Sequence, residues 1–321
     1  MKQKQKILVI LGPTASGKSN LAVILAKKFN GEIISADSRQ VYRGLNIGTG
    51  KITRREMRGI PHHLLFIASP RNIFTVTQWK KMAEKAIADI ARRGKLPIIC
   101  GGTGFYIQAI VDDISIPEVP PNAKLRAILE RKTPTQLFAM LSKFDPARAK
   151  TIDRYNPRRL IRAIEIAKTL GSVPRLVLVV PSKYEVLQVG IQTDDSTLRA
   201  RIEKRNANML RRGLIAEVKK LRAHGVSKKR MLELGFEYSL PLKYLSGNIS
   251  KNEMLKEMNS ATWQYARRQK TWFKRDKRIQ WFVPREIEKF KNAADEEKIA
   301  RIAQKFLSHN PPHKKRHGDK N

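Results

Sequence analysis

Short apolar runs alternate with helically spaced apolar positions through the first third of the chain. Ile7 to Leu11, Glu32 to Ala36 and Leu96 to Cys100 have the length of buried strands, and Lys18 to Phe29 has the pattern of a helix between two of them. From Thr75 to Arg92, Val76, Trp79, Met82, Ala83, Ala86, Ile87 and Ile90 recur at helical spacing, which places another helix before the Leu96 strand. This rhythm predicts a parallel sheet with crossover helices.

The pattern breaks at Pro117, Pro120 and Pro121, because proline removes a donor and disfavours helix in the residue before it. From Asn122 to about Gly171 the spacing is helical and basic, and Asn156-Pro157 offers an N-cap and first-turn pair for the helix carrying Arg158, Arg159 and Arg162. Val186 to Ile191 reads as the return to the sheet. Asp195 can cap a helix through Met209 that ends near Gly213, and further helices cover Leu214 to His224 and Asn252 to Lys274. The expected organisation is an α/β core over 1–115 and 187–305, a helical insertion over 116–186, and a basic flexible tail over 306–321. The apolar, strand-like run Arg175 to Val180 has no place in this scheme.

Composition adds a partner. The 321 residues carry 65 Lys and Arg against 28 Asp and Glu, a formal charge of +37, and the cations fill long helical segments of the C-terminal half. That balance favours a polyanion such as nucleic acid. With Cys100 the only cysteine, neither a disulfide framework nor a cysteine-based zinc site can form within one chain. No apolar run approaches the roughly 18 residues of a membrane span, and Met1 to Lys6 leads straight into a strand, so a cytoplasmic protein without membrane contact is expected.

Gly12-Pro13-Thr14-Ala15-Ser16-Gly17-Lys18-Ser19 matches the P-loop pattern in the strand-to-helix setting the motif requires. Its glycines let backbone amides curl around a phosphate, Lys18 supplies a point cation, and the Ser19 hydroxyl can ligate Mg²⁺. The expected fold class is thus α/β, a P-loop NTPase-like parallel sheet flanked by helices with an inserted, mainly helical domain. A diphosphate or triphosphate ligand follows, but not the chemistry performed on it. Asp37 follows the second strand and should project at the carboxyl edge of the sheet beside this loop. Asp37 and Ser38 capping the next helix is the competing reading.

Six ordered motifs go further: GPTASGKS at 12–19, ISADSRQVYRGLNIGTGK at 34–51, GIPHHLL at 59–65, GGTGFY at 101–106, NPRRLIRAIEI at 156–166 and RRQKTWFKR at 267–275. Across nearly its whole length the chain resembles the bacterial tRNA dimethylallyltransferases of the IPP transferase family. It departs from their pattern at Phe66, where an acidic residue is usual, and at Gly235-Phe236-Glu237, which replaces a more usual Gly-Tyr pair.

The resemblance implies transfer of a dimethylallyl group from dimethylallyl diphosphate to the exocyclic N6 amine of the adenine immediately 3′ of the anticodon, with Mg²⁺ as cofactor and a monomeric enzyme. It implies Asp37, Lys18, Thr103 and Arg205 as catalytic residues, Arg201 being the alternative to Arg205, and residues 12–19 as the diphosphate site. The anticodon stem loop would meet Asp37, Ser38, Arg39, Gln40, Thr103, Arg126, Arg158, Arg159, Leu160, Ile161, Arg162, Arg267 and Arg268. Thr103 capping the helix after it, and an exposed helix face for Arg205, are the structural alternatives. Trp263 and Trp272 read as core residues, and His62 and His63 as structural. A P-loop small-molecule or nucleoside kinase, or a non-catalytic tRNA-binding protein, are the rival functions.

Overall fold

The computed structural model describes residues 4–174, 182–283 and 293–309. They fall into two compact units, one within Met1–Val111 and Lys183–Asn321, the other Asp112–Ser182.

The larger unit contains strands β1 (Gln5–Leu11), β2 (Gly31–Ala36), β3 (His62–His63), β4 (Leu96–Gly101), β5 (Tyr184–Ile191) and β6 (Ile279–Phe282). They form one six-stranded sheet in the order β3-β2-β4-β1-β5-β6, every pair parallel. Helices α1 (Lys18–Lys28), α2 (Arg54–Met57), α3 (Val76–Arg92) and α4 (Gly104–Val111) belong to its first part. In the smaller unit lie α5 (Ala123–Leu129), α6 (Pro134–Phe144), α7 (Pro146–Ala149) and α8 (Pro157–Leu170). The chain then adds α9 (Asp195–Arg211), α10 (Leu214–Ala223), α11 (Lys228–Leu234), α12 (Phe236–Leu245), α13 (Lys251–Phe273) and α14 (Ala293–Ser308).

The period-two alternation of a strand explains the two apolar layers. Ile7, Val9 and Leu11 of β1 join a core with Trp79, Ile87 and Ile90 of α3 and Met254 and Met258 of α13. Leu8 and Ile10 point the other way, to Leu21 and Leu25 of α1 and Ile299 and Ala303 of α14. Both faces are therefore covered, which is why the strands read as continuous apolar runs.

Local signals set most helix starts. Thr75 caps α3 in a reciprocal box with Gln78, and Asn156 caps α8 by accepting from the Arg159 amide at 3.3 Å. The cap of α9 is Asp194, which accepts from the Thr197 amide at 2.8 Å; Asp195, the expected cap, is the first helical residue. Residues 306–308, expected in a flexible tail, end α14, whose carbonyls of Phe306 and Leu307 accept from Lys6 Nζ at 2.9 Å. The run 175–180 and the tail from Pro311 lie outside the described residues.

The smaller unit is a helical cluster around Leu129, Leu137, Leu141, Leu160 and Ile164. Its most deeply buried carboxylate among the described residues, Glu165, takes a two-pronged bond from Arg126 (2.8 Å to each oxygen) and another from the Asn122 amide (2.9 Å). Burial alone would raise the Glu165 carboxyl, yet the Arg126 guanidinium holds it below its usual range. Among the described residues no helix is long and apolar enough to cross a membrane.

Candidate active site

The phosphate loop is shaped by backbone angles that few side chains tolerate. Gly12 has φ +153°, Gly17 φ +87° and Ala15 φ +62°, and a Cβ on Gly12 would stand 2.8 Å from the Ile191 carbonyl oxygen. The Lys18 ammonium folds back to the Pro13 carbonyl at 3.2 Å. Beside the loop lies a cavity of about 230 Å³ lined by Thr14, Ala15, Gly17, Lys18, Ser19, Asp37, Gln40, Thr49, Gly50, Arg205, Tyr265 and Gln269, among others.

Asp37 leaves β2 at its carboxyl end. One carboxylate oxygen, Oδ1, accepts from the amides of Arg39 (2.8 Å) and Gln40 (3.3 Å), fixing a turn where a helix cap was the competing expectation. The other oxygen takes no part in that turn. Thr103, just past β4, accepts from the Ser38 amide at 3.0 Å through its hydroxyl, so this side chain ties two strand ends together rather than capping α4. The loops after β2 and β4 thus present Asp37 and Thr103 side by side.

Helices close the opposite wall. Arg205 of α9 reaches the Thr14 hydroxyl and, at 3.1 Å, the Thr49 carbonyl, which puts its guanidinium against the phosphate loop; a Cβ at Gly50 would collide with it. Arg201 lines no part of this cavity. Gln269 of α13 accepts from the Thr14 amide (2.8 Å) and donates to the Gly102 carbonyl (2.8 Å), a bridge between phosphate loop and β4. Tyr265, one turn earlier, neighbours Thr103 and Asp37. Glu217 of α10 accepts from three successive amides, Asn46 (2.9 Å), Ile47 (2.7 Å) and Gly48 (3.0 Å), and so holds the loop that carries Thr49 and Gly50.

The fold that carries this site matches those of solved enzymes. Over 95% of this chain and 97% of its counterpart, the fold matches a tRNA isopentenylpyrophosphate transferase of Bacillus halodurans (TM-score 0.71, 36% identity). A eukaryotic dimethylallyltransferase acting on tRNA matches with a TM-score of 0.79 and 28% identity, covering 97% of this chain and 82% of the other. In sequence, the tRNA dimethylallyltransferase of Anoxybacillus flavithermus is 40% identical over 281 residues, 87% of this chain and 90% of that protein. The enzyme of Staphylococcus aureus is 41% identical over 291 residues, 87% and 93%. The IPP transferase pattern matches residues 40–276. The chain belongs to the IPP transferase family.

Within this IPP transferase the cavity is electrostatically mixed. Burial draws the Lys18 ammonium below its usual range, opposed by the Cys100 and Asp37 sides of the cavity. Burial likewise lowers Arg205, opposed by Glu237 and Asp37. Both shifts shrink when an anion arrives, because an opposite charge favours the charged form. Glu237, at the start of α12, is pushed up to about 7 by burial, with Arg39 and Arg205 working against the rise. The two departures from the family pattern therefore stand close to the site. Phe66 lies under the Lys51 ammonium, 3.9 Å from its ring centroid, and burial brings Lys51 down to about 8.

The expected tRNA contacts divide by environment. Leu160 and Ile161, at 0% and 8% exposure, are core residues of the smaller unit, so their side chains are not contact surface. Arg126 is committed to Glu165, and Arg162 approaches the same carboxylate at 3.6 Å. Arg158, Arg159, Arg267 and Arg268 are exposed. Tyr155, 72% exposed with the Arg154 guanidinium 4.9 Å from its ring, is an aromatic that the motif reading missed. Trp263 and Trp272 pack against apolar clusters, as expected, and His63 bonds Glu32 at 2.7 Å in a structural pair.

For a metal, the donors on hand are the Ser19 hydroxyl and the Asp37 carboxylate, both on the cavity wall. Among the described residues no group of three His, Cys, Asp or Glu gathers to hold an ion by itself. Hard oxygen donors in this number fit a Mg²⁺ that brings most of its coordination from phosphate oxygens and water.

Proposed function

We propose the following division of labour for the reaction of this family, in which a dimethylallyl group passes from dimethylallyl diphosphate to the N6 amine of the adenine immediately 3′ of the anticodon in tRNA. The amides of residues 12–19, Lys18 and Arg205 hold the diphosphate and stabilise the charge that gathers on it as the carbon–oxygen bond breaks. Mg²⁺ bound at Ser19 would further neutralise that charge. The amine nitrogen forms its bond to the allylic carbon, pyrophosphate leaves, and the amine proton goes to the Asp37 carboxylate. Thr103 and Ser38, locked together, position the base. The adenine must leave the anticodon stack to reach this cavity, at a cost of a few kcal/mol.

One observation carries the assignment: Asp37, at the end of β2, lines a single cavity with the phosphate loop, Lys18 and Arg205, while the adjoining Ser38 amide is bonded to Thr103 at the end of the neighbouring strand β4. Arg158 and Arg159 of the smaller unit, with Arg267 and Arg268, are the cations suited to hold stem-loop phosphates. Tyr155 is suited to stack on an unpaired base.

The decisive experiment incubates an unmodified anticodon stem loop with the protein, dimethylallyl diphosphate and Mg²⁺, without ATP, and weighs the nucleosides. One isopentenyl group gained on adenosine, with pyrophosphate released, is the expected result. No mass gain there, together with ATP consumption in a parallel reaction supplied with ATP and a hydroxyl acceptor, would replace this reading with the kinase one.

A further inference from the structure

A second cavity, of about 610 Å³, lies in the larger unit against Pro13 of the phosphate loop, the carboxyl end of β5, strand β6 and the last turns of α13. Its size is that of a small-molecule site. Apart from Pro13 of the phosphate loop and Arg267, read above as a stem-loop cation, its wall residues have no part in the proposed transfer reaction.

Three observations give it a chemistry. First, the Thr193 hydroxyl is buried without a hydrogen-bond partner in a residue only 2% exposed on the wall of this cavity. A stranded hydroxyl is a cost that a ligand atom would remove. Second, the charges on the wall are unevenly committed. Asp194 accepts from Ser196 and the Thr197 amide, Asp195 is paired with Lys270, and Asp276 is held by Arg278 and Gln188. Arg267, Lys274 and Lys277 have no carboxylate partner among the described residues. Third, the half-buried indole of Trp281, with Ile279 and Pro13, supplies an apolar wall.

We propose that this cavity binds a nucleotide, a phosphorylated nucleoside whose phosphate meets Lys274 and Lys277 and whose base lies against Trp281. A bare anion would leave the indole and most of the volume unused, and an apolar ligand would leave three cations and a hydroxyl unanswered. Bases stack on indole whatever their identity, so the site reads the class rather than the letter. A free mononucleotide and a nucleotide within RNA share this chemistry.

Calorimetric titration of AMP into the full-length protein tests it, with saturating inorganic pyrophosphate and Mg²⁺ present to fill the phosphate loop. One AMP per chain should still bind. Replacing Lys274 and Lys277 together with Ala should weaken it about tenfold, the scale of one charge-assisted hydrogen bond. Thr193→Val should weaken it several-fold, and inorganic phosphate alone should bind about tenfold less tightly than AMP. Loss of all AMP binding to pyrophosphate would overturn the proposal, as would unchanged affinity in the double variant with an unaltered melting curve. An unmodified anticodon stem loop added to the AMP complex identifies the source. Release of AMP assigns the site to a nucleotide of the RNA, and a ternary complex assigns it to a free one. The transfer reading stands or falls by nucleoside mass and is untouched by either result.

Discussion

Two regions of this molecule are rich in positive charge and use it in opposite ways. In the phosphate cavity, Lys18 and Arg205 are half-buried, depressed by burial, and set among the carboxyl groups of Asp37 and Glu237. On the first turn of α8, Arg158 and Arg159 stand in water, while the neighbouring Arg126 is spent on a structural ion pair with Glu165. Charge in a poorly solvated cavity acts strongly at short range and little through salt, so it suits bond breaking. Charge in water is screened, exchangeable and additive, so it suits holding a polyanion. Lysine and arginine counts alone do not separate the two jobs; burial does.

The contrast breaks most readily at Asp37. Asp37→Asn keeps an oxygen for the Arg39 and Gln40 amides, so the turn survives while the proton acceptor is lost. Its kcat should fall by about 10² to 10⁴ with tRNA affinity nearly unchanged. A fully active Asn variant with a normal melting curve would reduce Asp37 to a turn residue. On the exposed side, Arg158→Ala and Arg159→Ala should each flatten the salt dependence of tRNA binding by up to about one unit of slope and leave kcat at saturation alone. An unchanged slope in the double variant would take this helix out of the interface.

The finest probe is Glu237. A carboxyl raised to about 7 in the folded protein from its usual 4.5 binds an extra proton on folding. Its favourable contribution is complete below the unfolded value and is lost as the pH rises through 7. The Glu237→Gln side chain cannot ionise, so its Tm relative to the parent should improve between pH 5 and pH 8, by about 2 °C. A Tm difference that stays flat across that range would place the carboxyl in an ordinary environment.

The same contrast marks what was legible in the sequence. The phosphate loop, Asp37 and Thr103 sit in contiguous motifs because strand ends deliver them to one sheet edge, and an edge is readable from strand spacing. The sheet and most helix limits were legible for the same local reasons, namely apolar periodicity and caps. Glu217 and Tyr265 come from helices far along the chain and look like ordinary polar residues there, while Glu237 showed only as a departure from the family pattern and Gln269 only as a member of the 267–275 motif, neither with a role attached. Gln269 did leave a trace. It shares the buried face of α13 with Thr262, Ala266 and Phe273, and a glutamine there needs partners. The opposite error fell on Leu160 and Ile161, motif neighbours of exposed arginines whose own side chains face inward, since position in a motif says nothing about which way a helix turns it.

The Glu217 carboxylate, gripping three consecutive amides of the loop over 46–48, has a kinetic and entropic meaning. A surface loop ordinarily exchanges its amide hydrogens freely and must be stilled when a ligand binds, at roughly 1–2 kcal/mol of lost backbone entropy for each residue fixed. Here that ordering takes place when the protein folds, enforced by a side chain from α10. The Thr49 carbonyl and Gly50 are carried to Arg205 already in position, so diphosphate binding meets a rigid rim. By the time a ligand arrives, this loop has little freedom left to lose.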